Sequence, residues 1–234
     1  MRLWKALSIG LLAAISPEIA AAGDRPVVVE LFTSQGCSSC PPANAYLNKL
    51  SKRPSDILAL AFHVTYWDYL GWKDPISLKL ATDRQEQYGR RFGDGSNTPE
   101  IVVDGSIGFV GSDREDVDHA VAKARLGSST VAVIRLVTKD GKASIDVGAG
   151  QGAARVLLVG FDREHVTSIG RGENQGRTMA EAKFVRAFRS VAEWRGAAIH
   201  LDEQVPEGEQ IAVILAAPDG RIVGPSKATT AGSS

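Results

Sequence analysis

Cys37 and Cys40 are the chain's two cysteines. They sit as Gly36-Cys37-Ser38-Ser39-Cys40-Pro41-Pro42, directly after the apolar run Val27-Val28-Val29-Glu30-Leu31-Phe32. This order describes a strand that delivers a Cys-x-x-Cys turn to the start of a helix. A helix N-terminus carries partial positive charge and unpaired N–H groups, which stabilise a thiolate and lower its pKa. Three readings fit the pair: thiol–disulfide exchange, half of a soft-metal site, and an inert structural clip. A clip this short removes little unfolded-state entropy, which weighs against the third.

The flanking sequence sets the context. Residues 1–22 read as a secretory signal: Arg2 and Lys5 start it, residues 6–15 are apolar, and Ala20-Ala21-Ala22 offers small residues for cleavage. The apolar stretch is too short to span a bilayer unaided, so no membrane anchor is expected after cleavage. The implied location is periplasmic or secreted, where disulfides persist. The whole chain carries 27 basic and 27 acidic residues, and the leader holds two of the former and one of the latter. That balance supplies no basic field for nucleic acid, which is therefore not an expected partner.

Residues 25–126 alternate apolar runs with helical patterns, which signals an α/β sheet. A helix is expected from Cys40, with Pro41 and Pro42 in its first turn and Leu47 and Leu50 facing the sheet. Ile57-Leu58-Ala59-Leu60-Ala61-Phe62 reads as a strand buried on both faces. Asp74-Pro75 predicts a helix running to about Arg90. Asp104-Gly105 predicts a hairpin between residues 101–103 and 107–110, and Ser112 with Glu115 forms a capping box before a third helix. The order β-α-β-α-β-β-α is that of a minimal thioredoxin-like core.

Beyond Gly127-Ser128-Ser129 the texture becomes a series of short strands. They fall at 130–137, 143–147, 153–161, 197–201, 210–216 and 221–223, which suggests a small sandwich. Residues 184–194 fit strand or helix. The expected organisation is a signal peptide (1–22), a thioredoxin-like α/β domain (23–127), a β-rich, sandwich-like domain (128–226) and a flexible tail (227–234).

Two long segments carry a family resemblance. Glu30-Leu31-Phe32-Thr33-Ser34-Gln35-Gly36-Cys37-Ser38-Ser39-Cys40-Pro41-Pro42 is the first, and Phe62-His63-Val64-Thr65-Tyr66-Trp67-Asp68-Tyr69-Leu70-Gly71-Trp72-Lys73-Asp74-Pro75 the second. With Thr98-Pro99, Val102-Val103-Asp104-Gly105, Arg171-Gly172-Glu173-Asn174 and Gly176-Arg177, they resemble the domain-of-unknown-function 1223 family. The resemblance implies secreted bacterial proteins with a thioredoxin-like domain followed by a β-rich one. It implies no substrate. Asn44 and Thr65 stand where that family's pattern has aspartates, and Asn97 and Glu100 where tyrosine and glutamine are commoner.

Cys37 is the candidate nucleophile, placed where exposure and the helix field are greatest, and Cys40 is the candidate resolving thiol. Ser38 and Ser39 are either thiolate donors or small turn residues. Thr98-Pro99 precedes a strand as the cis-proline of thioredoxin-like domains does, next to the disulfide, and offers backbone groups to a substrate. Trp67 and Trp72 belong to an aromatic loop, Tyr66-Trp67-Asp68-Tyr69-Leu70-Gly71-Trp72, suited to substrate recognition or to packing over its own domain. Glu30 is either a buried proton relay or a structural carboxylate paired with Lys73. His63 closes the second strand and is a thiol neighbour or a structural histidine.

The functional expectation is a thiol–disulfide oxidoreductase acting through Cys37 and Cys40 on a protein thiol or disulfide partner, with no cofactor beyond that redox-active disulfide. One rival is a Cu(I)-type site of Cys37, Cys40 and His63. The other is a non-catalytic binding module with a structural disulfide. The second half, from about Thr130, is expected to give specificity and no catalytic group. It holds no cysteine, and His165 and His200 show no metal spacing.

Overall fold

The structure is a computed structural model that describes residues 25–54, 56–127, 131–225 and 229–231. The leader read in residues 1–22 lies outside the described residues. The first half runs β1 (Val27–Thr33), α1 (Pro41–Leu50), β2 (Ile57–His63), α2 (Lys79–Phe92), β3 (Glu100–Val103), β4 (Ile107–Val110) and α3 (Arg114–Gly127). These strands form one sheet in the order β2-β1-β3-β4, with β1 parallel to β2 and antiparallel to β3.

Alternation along β1 sends its side chains to two different layers. Val27, Val29 and Leu31 pack with Ala43, Leu47 and Leu50 of α1 and with Val117 and Val121 of α3. Val28 and Phe32, with Leu58, Leu60 and Phe62 of β2, face Ala81 and Tyr88 of α2 and a second sheet.

That second sheet comes from the other half of the chain. The elements there are β5 (Ile134–Lys139), β6 (Lys142–Val147), β7 (Ala154–Phe161), β8 (Glu164–Ser168), β9 (Thr178–Ala182), β10 (Val185–Trp194), β11 (Ile199–Gln204), β12 (Gln210–Ala216), β13 (Ile222–Pro225) and β14 (Thr229–Thr230). The order β10-β7-β12-β13 makes a central layer, with β14 also on β12. Leu157, Val159 and Phe161 of β7 and Ala212 and Ile214 of β12 meet the first sheet. Val156, Leu158, Ile211, Val213 and Leu215 meet Ala143, Ile145 and Val147 of β6, in the three-stranded sheet β11-β6-β5. Burial on both faces is why β7 and β12 read as unbroken apolar runs. One buried cluster thus draws on both sides of residues 128–130.

The fold class expected from sequence is corrected here. An α/β domain has helices on both faces of its sheet. In this chain α1 and α3 cover one face, and much of the other lies under a β-sheet. With fourteen strands in four sheets against three helices among the described residues, the protein is largely β-rich and not an α/β thioredoxin-like domain followed by a sandwich. The pattern of residues 25–126 misled because helix spacing reveals where helices lie in the chain, not what covers the sheet's second face.

Local expectations met mixed outcomes. α1 starts at Pro41 with Cys40 as its N-cap, as read. The β3–β4 hairpin turns through Asp104 and Gly105, both at positive φ (45° and 58°). Glycine is required at 105, because a Cβ there would lie 2.5 Å from the Gly220 carbonyl oxygen. α2 begins at Lys79 and not after Asp74, whose carboxylate is engaged elsewhere. Of residues 184–194, Val185–Trp194 form β10, and two strands, β8 and β9, had no expected counterpart. Part of the expected flexible tail, Thr229–Thr230, pairs with β12.

Candidate functional site

The cysteine turn lies between the carboxyl end of β1 and the first turn of α1. Cys37 and Cys40 are joined in a disulfide with their Cα atoms 5.4 Å apart. The backbone closes on itself here: the Cys37 amide donates to the Ser34 carbonyl (3.2 Å), and the Ala43 and Asn44 amides donate to the Cys40 carbonyl (3.0 Å each). Both cysteines are fully buried, contrary to the exposure expected for Cys37, whereas Ser38 and Ser39 between them are exposed. The Ser39 hydroxyl lies 3.3 Å from the Cys37 sulfur and 3.5 Å from the Thr98 carbonyl oxygen. Thr98-Pro99 is cis. Pro99 and Ala43 both approach Gly111, where a Cβ would meet each at 3.0 Å. The loop before β3 is thereby set against the start of α1.

The aromatic loop closes the other side. Trp67 donates its indole N–H to Thr98 Oγ1 (2.8 Å), and Trp72 donates to Gln35 Oε1 (3.1 Å). A Cβ at Gly36 would lie 3.3 Å from Trp67 Cβ, so the turn and this loop are in close packing. Tyr69 and Leu70 at the loop's tip are exposed.

A polar cluster holds the turn from below, on the α1 face of the sheet. Gln35, two residues before Cys37, is its hub. Its amide N–H donates to Asp74 Oδ2 (2.8 Å), and its side-chain Nε2 donates to Glu181 Oε2 (2.7 Å) and Thr167 Oγ1 (2.9 Å). Asn44 Nδ2 donates to the other Glu181 oxygen (3.1 Å), and Thr33 Oγ1 donates to Asn44 Oδ1 (2.9 Å). His63 Nδ1 lies 2.7 Å from Asp74 Oδ2, while its Nε2 faces Glu181 Oε1 at 3.7 Å and makes no hydrogen bond. Burial pulls the His63 imidazole down, but Asp74 and Glu181 outweigh it and raise its pKa to about 9. Burial raises the Glu181 carboxyl despite His63. Burial also opposes ionisation of Asp74, yet His63 and two backbone amides hold its carboxyl below the ordinary value.

The second half of the chain reaches over the turn as well. Asn174, fully buried between β8 and β9, donates from Nδ2 to the carbonyls of Gln35 (2.9 Å) and Cys37 (2.8 Å). Its Oδ1 is buried without a partner. Glu173, exposed beside it, accepts the Ser38 N–H at 3.0 Å. Hydrogen bonds from the Ser38 side chain and backbone hold the Glu173 carboxyl below its ordinary value.

Glu30 lies on the opposite face of β1 from this cluster. Arg84 donates to it from Nε (2.5 Å) and Nη2 (2.9 Å), and the Tyr88 hydroxyl donates at 2.6 Å; its partner is thus Arg84 and not Lys73. Glu100, directly after Pro99, accepts from Gln85 Nε2 (2.7 Å), and its Oε1 is buried without a partner. Burial raises its pKa to about 7.

The structure thus brings Cys37, Cys40, Ser38, Ser39, Thr98, Pro99, Trp67 and Trp72 together, with His63 beneath them. His63 Nδ1 is committed to Asp74, and among the described residues no group of three or more His, Cys, Asp and Glu side chains is arranged to hold a metal ion. Sequence reasoning missed Gln35, Asp74, Thr167, Glu173, Asn174 and Glu181 as site residues. The signal available was the family resemblance, whose segments hold Gln35, Asp74, Glu173 and Asn174 but carry no local nucleophile pattern at those positions.

With this geometry in view, comparison with known proteins places the chain in a family. The model of the family described as protein of unknown function DUF1223 matches residues 28–216, and the chain belongs to it. No curated protein matches. A crystal structure of a protein from Agrobacterium tumefaciens is similar at 32% identity, covering 92% of this chain and 98% of that one, with a TM-score of 0.76. HBP35 of Porphyromonas gingivalis shares the fold at 12% identity, covering 88% of this chain and 75% of that one, with a TM-score of 0.61. Among the described residues no helix is long and apolar enough to cross a membrane.

Proposed function

We propose that this protein is an exported thiol–disulfide oxidoreductase whose working groups are Cys37 and Cys40. The observation that carries the reading is the Cys37–Cys40 disulfide at the N-cap of α1, with the Ser39 hydroxyl 3.3 Å from the Cys37 sulfur. A thiolate formed there meets the positive end of the α1 dipole and a hydroxyl donor. In the reduced protein the Cys37 thiolate attacks one sulfur of a partner disulfide, and the partner's other sulfur leaves as a thiolate. Cys40, as thiolate, then attacks the Cys37 sulfur of the mixed disulfide. The Cys37–Cys40 bond forms, and the second partner sulfur is released. The partner gains two electrons and two protons, and the protein returns to the disulfide; the reverse sequence oxidises a partner dithiol.

Thr98 and Pro99, with Trp67 and Trp72, form the rim against which the partner chain lies. The indole N–H groups are spent on Thr98 and Gln35, so these rings offer apolar surface. Export rests on the sequence of residues 1–22 and places the disulfide in an oxidising compartment.

The test is capture. A Cys40→Ser variant, reduced and mixed with a disulfide-bonded protein, accumulates a mixed disulfide through Cys37 that wild type resolves; Cys37→Ser accumulates none. Absence of adducts in both variants removes the reading.

A further inference from the structure

Among the described residues, Glu173 is the one carboxylate that accepts a backbone N–H between the cysteines. It comes from the segment between β8 and β9, 135 residues beyond the Ser38 whose N–H it accepts at 3.0 Å. Asn174 next to it pins that segment down by taking the Gln35 and Cys37 carbonyls. The turn is therefore held by two adjacent residues of opposite character, a neutral amide on its carbonyls and an anion on its first free N–H.

The position matters because of what the N–H does otherwise. A thiolate at Cys37 draws stability from N–H groups of its own turn, and α1 offers none, since Pro41 and Pro42 have no N–H and the Ala43 and Asn44 amides are spent on the Cys40 carbonyl. Glu173 occupies the Ser38 N–H and brings a negative charge to the same turn. Both effects disfavour the thiolate. The other charged groups near the turn are the buried Asp74, His63 and Glu181, which reach it through Gln35 and Asn44, while Arg171 and Arg177 flank Glu173 in sequence.

Resting on the exchange chemistry proposed above, we infer that Glu173 is a positioning residue that sets the redox poise of the Cys37–Cys40 pair, destabilising the Cys37 thiolate and so favouring the disulfide. A dithiol whose thiolate is disfavoured is a better electron donor, since strong oxidants of this chemistry owe their potential to a stabilised reduced form. The second half of the molecule thereby takes part in the chemistry without supplying a nucleophile. The Glu173 carboxyl is itself held below its ordinary value by Ser38, so the charge is present throughout the working pH range.

The experiment uses the full mature chain, reduced with a phosphine that is then removed, so that it does not depend on exchange with any partner. The pH profile of Cys37 alkylation is measured for wild type, Glu173→Gln and Glu173→Ala. Gln keeps an acceptor for Ser38 and removes only the charge, at an exposed position where the fold tolerates it. The Cys37 pKa falls by about half a unit in the Gln variant, as expected for a solvated neighbouring charge, and by at least as much in Ala. Equilibration with glutathione gives a second readout. Above the thiol pKa the Gln variant's constant shifts about threefold toward the dithiol, which is about 14 mV at 29.6 mV per tenfold. Well below that pKa the two proteins agree, because the charge acts only on an ionised sulfur. Raised salt lowers the wild-type pKa toward that of the variant.

An unchanged Cys37 pKa in Glu173→Gln overturns the inference, and so does a glutathione shift of equal size at both pH values, which marks a merely structural role. Failure of the exchange reading looks different: the wild-type dithiol, though alkylated normally, does not equilibrate with glutathione.

Discussion

Two buried ionic clusters lie on opposite faces of β1, and they are built for different ends. Glu30, facing α2 and the second sheet, is gripped by Arg84 and Tyr88, and the Arg84 guanidinium lies 4.5–5.7 Å from the ring centres of Phe188, Tyr88 and Phe62. None of its buried side-chain atoms lacks a partner. On the α1 face, Asp74 and Glu181 share His63, whose Nε2 makes no hydrogen bond, and their remaining contacts run through Gln35 and Asn44 to the cysteine turn. The first cluster is closed and packs the core. The second is open and holds the cysteine loop. Strand parity separates them, since Glu30 and Thr33 point to opposite sides and the chain leaves Thr33 toward the turn.

The comparison breaks most completely if the second half is removed. A chain ending at residue 127 loses the strands that cover Phe32, Leu60 and Phe62 and also loses Glu181, Asn174 and Thr167. Such a fragment is expected to show no cooperative thermal transition by circular dichroism and no difference in alkylation rate between its two thiols. A folded fragment with a fast Cys37 would show that the turn is self-sufficient, as the sequence alone suggests.

The closed cluster is probed by Arg84→Met, which leaves Glu30 buried without its cation. The expected cost is about 3–5 kcal/mol in denaturant unfolding. The pH profile of Cys37 alkylation should not move, because no contact links Arg84 to the turn. A shift in that profile would join the two clusters that the structure separates.

In the open cluster the effect depends on pH. His63 has its folded pKa raised to about 9 from an ordinary 6.5, so the stability it confers is fully present below pH 6.5 and is lost as pH rises through 9. Wild type should lose up to about 3 kcal/mol across that window, while His63→Gln, though less stable overall, loses none of it. Asp74, Glu181 and Asp68 are the charges acting on the ring. Parallel stability curves for the two proteins would remove His63⁺ from the cluster.

Glu100 gives an effect of the opposite sign. Its folded pKa is raised from 4.5 to about 7, so the folded state loses stability as pH rises between those values. Glu100→Gln does not titrate, and relative to wild type it should gain up to about 3 kcal/mol between pH 4 and pH 8. Equal melting curves at pH 8 would show the carboxylate to be at ease in its site.

How much of this was legible in the sequence follows from what each signal reports. The β1–turn–α1 unit was readable because an apolar run, a Cys-x-x-Cys and two prolines are all local. So was the β3–β4 hairpin, fixed by Asp104-Gly105. The cover on the sheet's second face was not, since Leu157, Val159 and Phe161 carry the same pattern whichever sheet they meet. The polar half of the site was hidden for the same reason. Glu181 and Asn174 lie more than 130 residues from Asn44 and Cys37, and nothing in their neighbours announces the contact. Asp74 misled outright: a helix N-cap by pattern, it instead receives Gln35 and His63.

The measurement that bears most directly on the central claim is the redox titration of the intact chain against glutathione, with folded structure followed in the same samples. The account predicts one two-electron transition between disulfide and dithiol, reversible and complete while circular dichroism remains native. A disulfide that resists reduction until the protein is unfolded would contradict it, and would leave Cys37 and Cys40 as a structural clip.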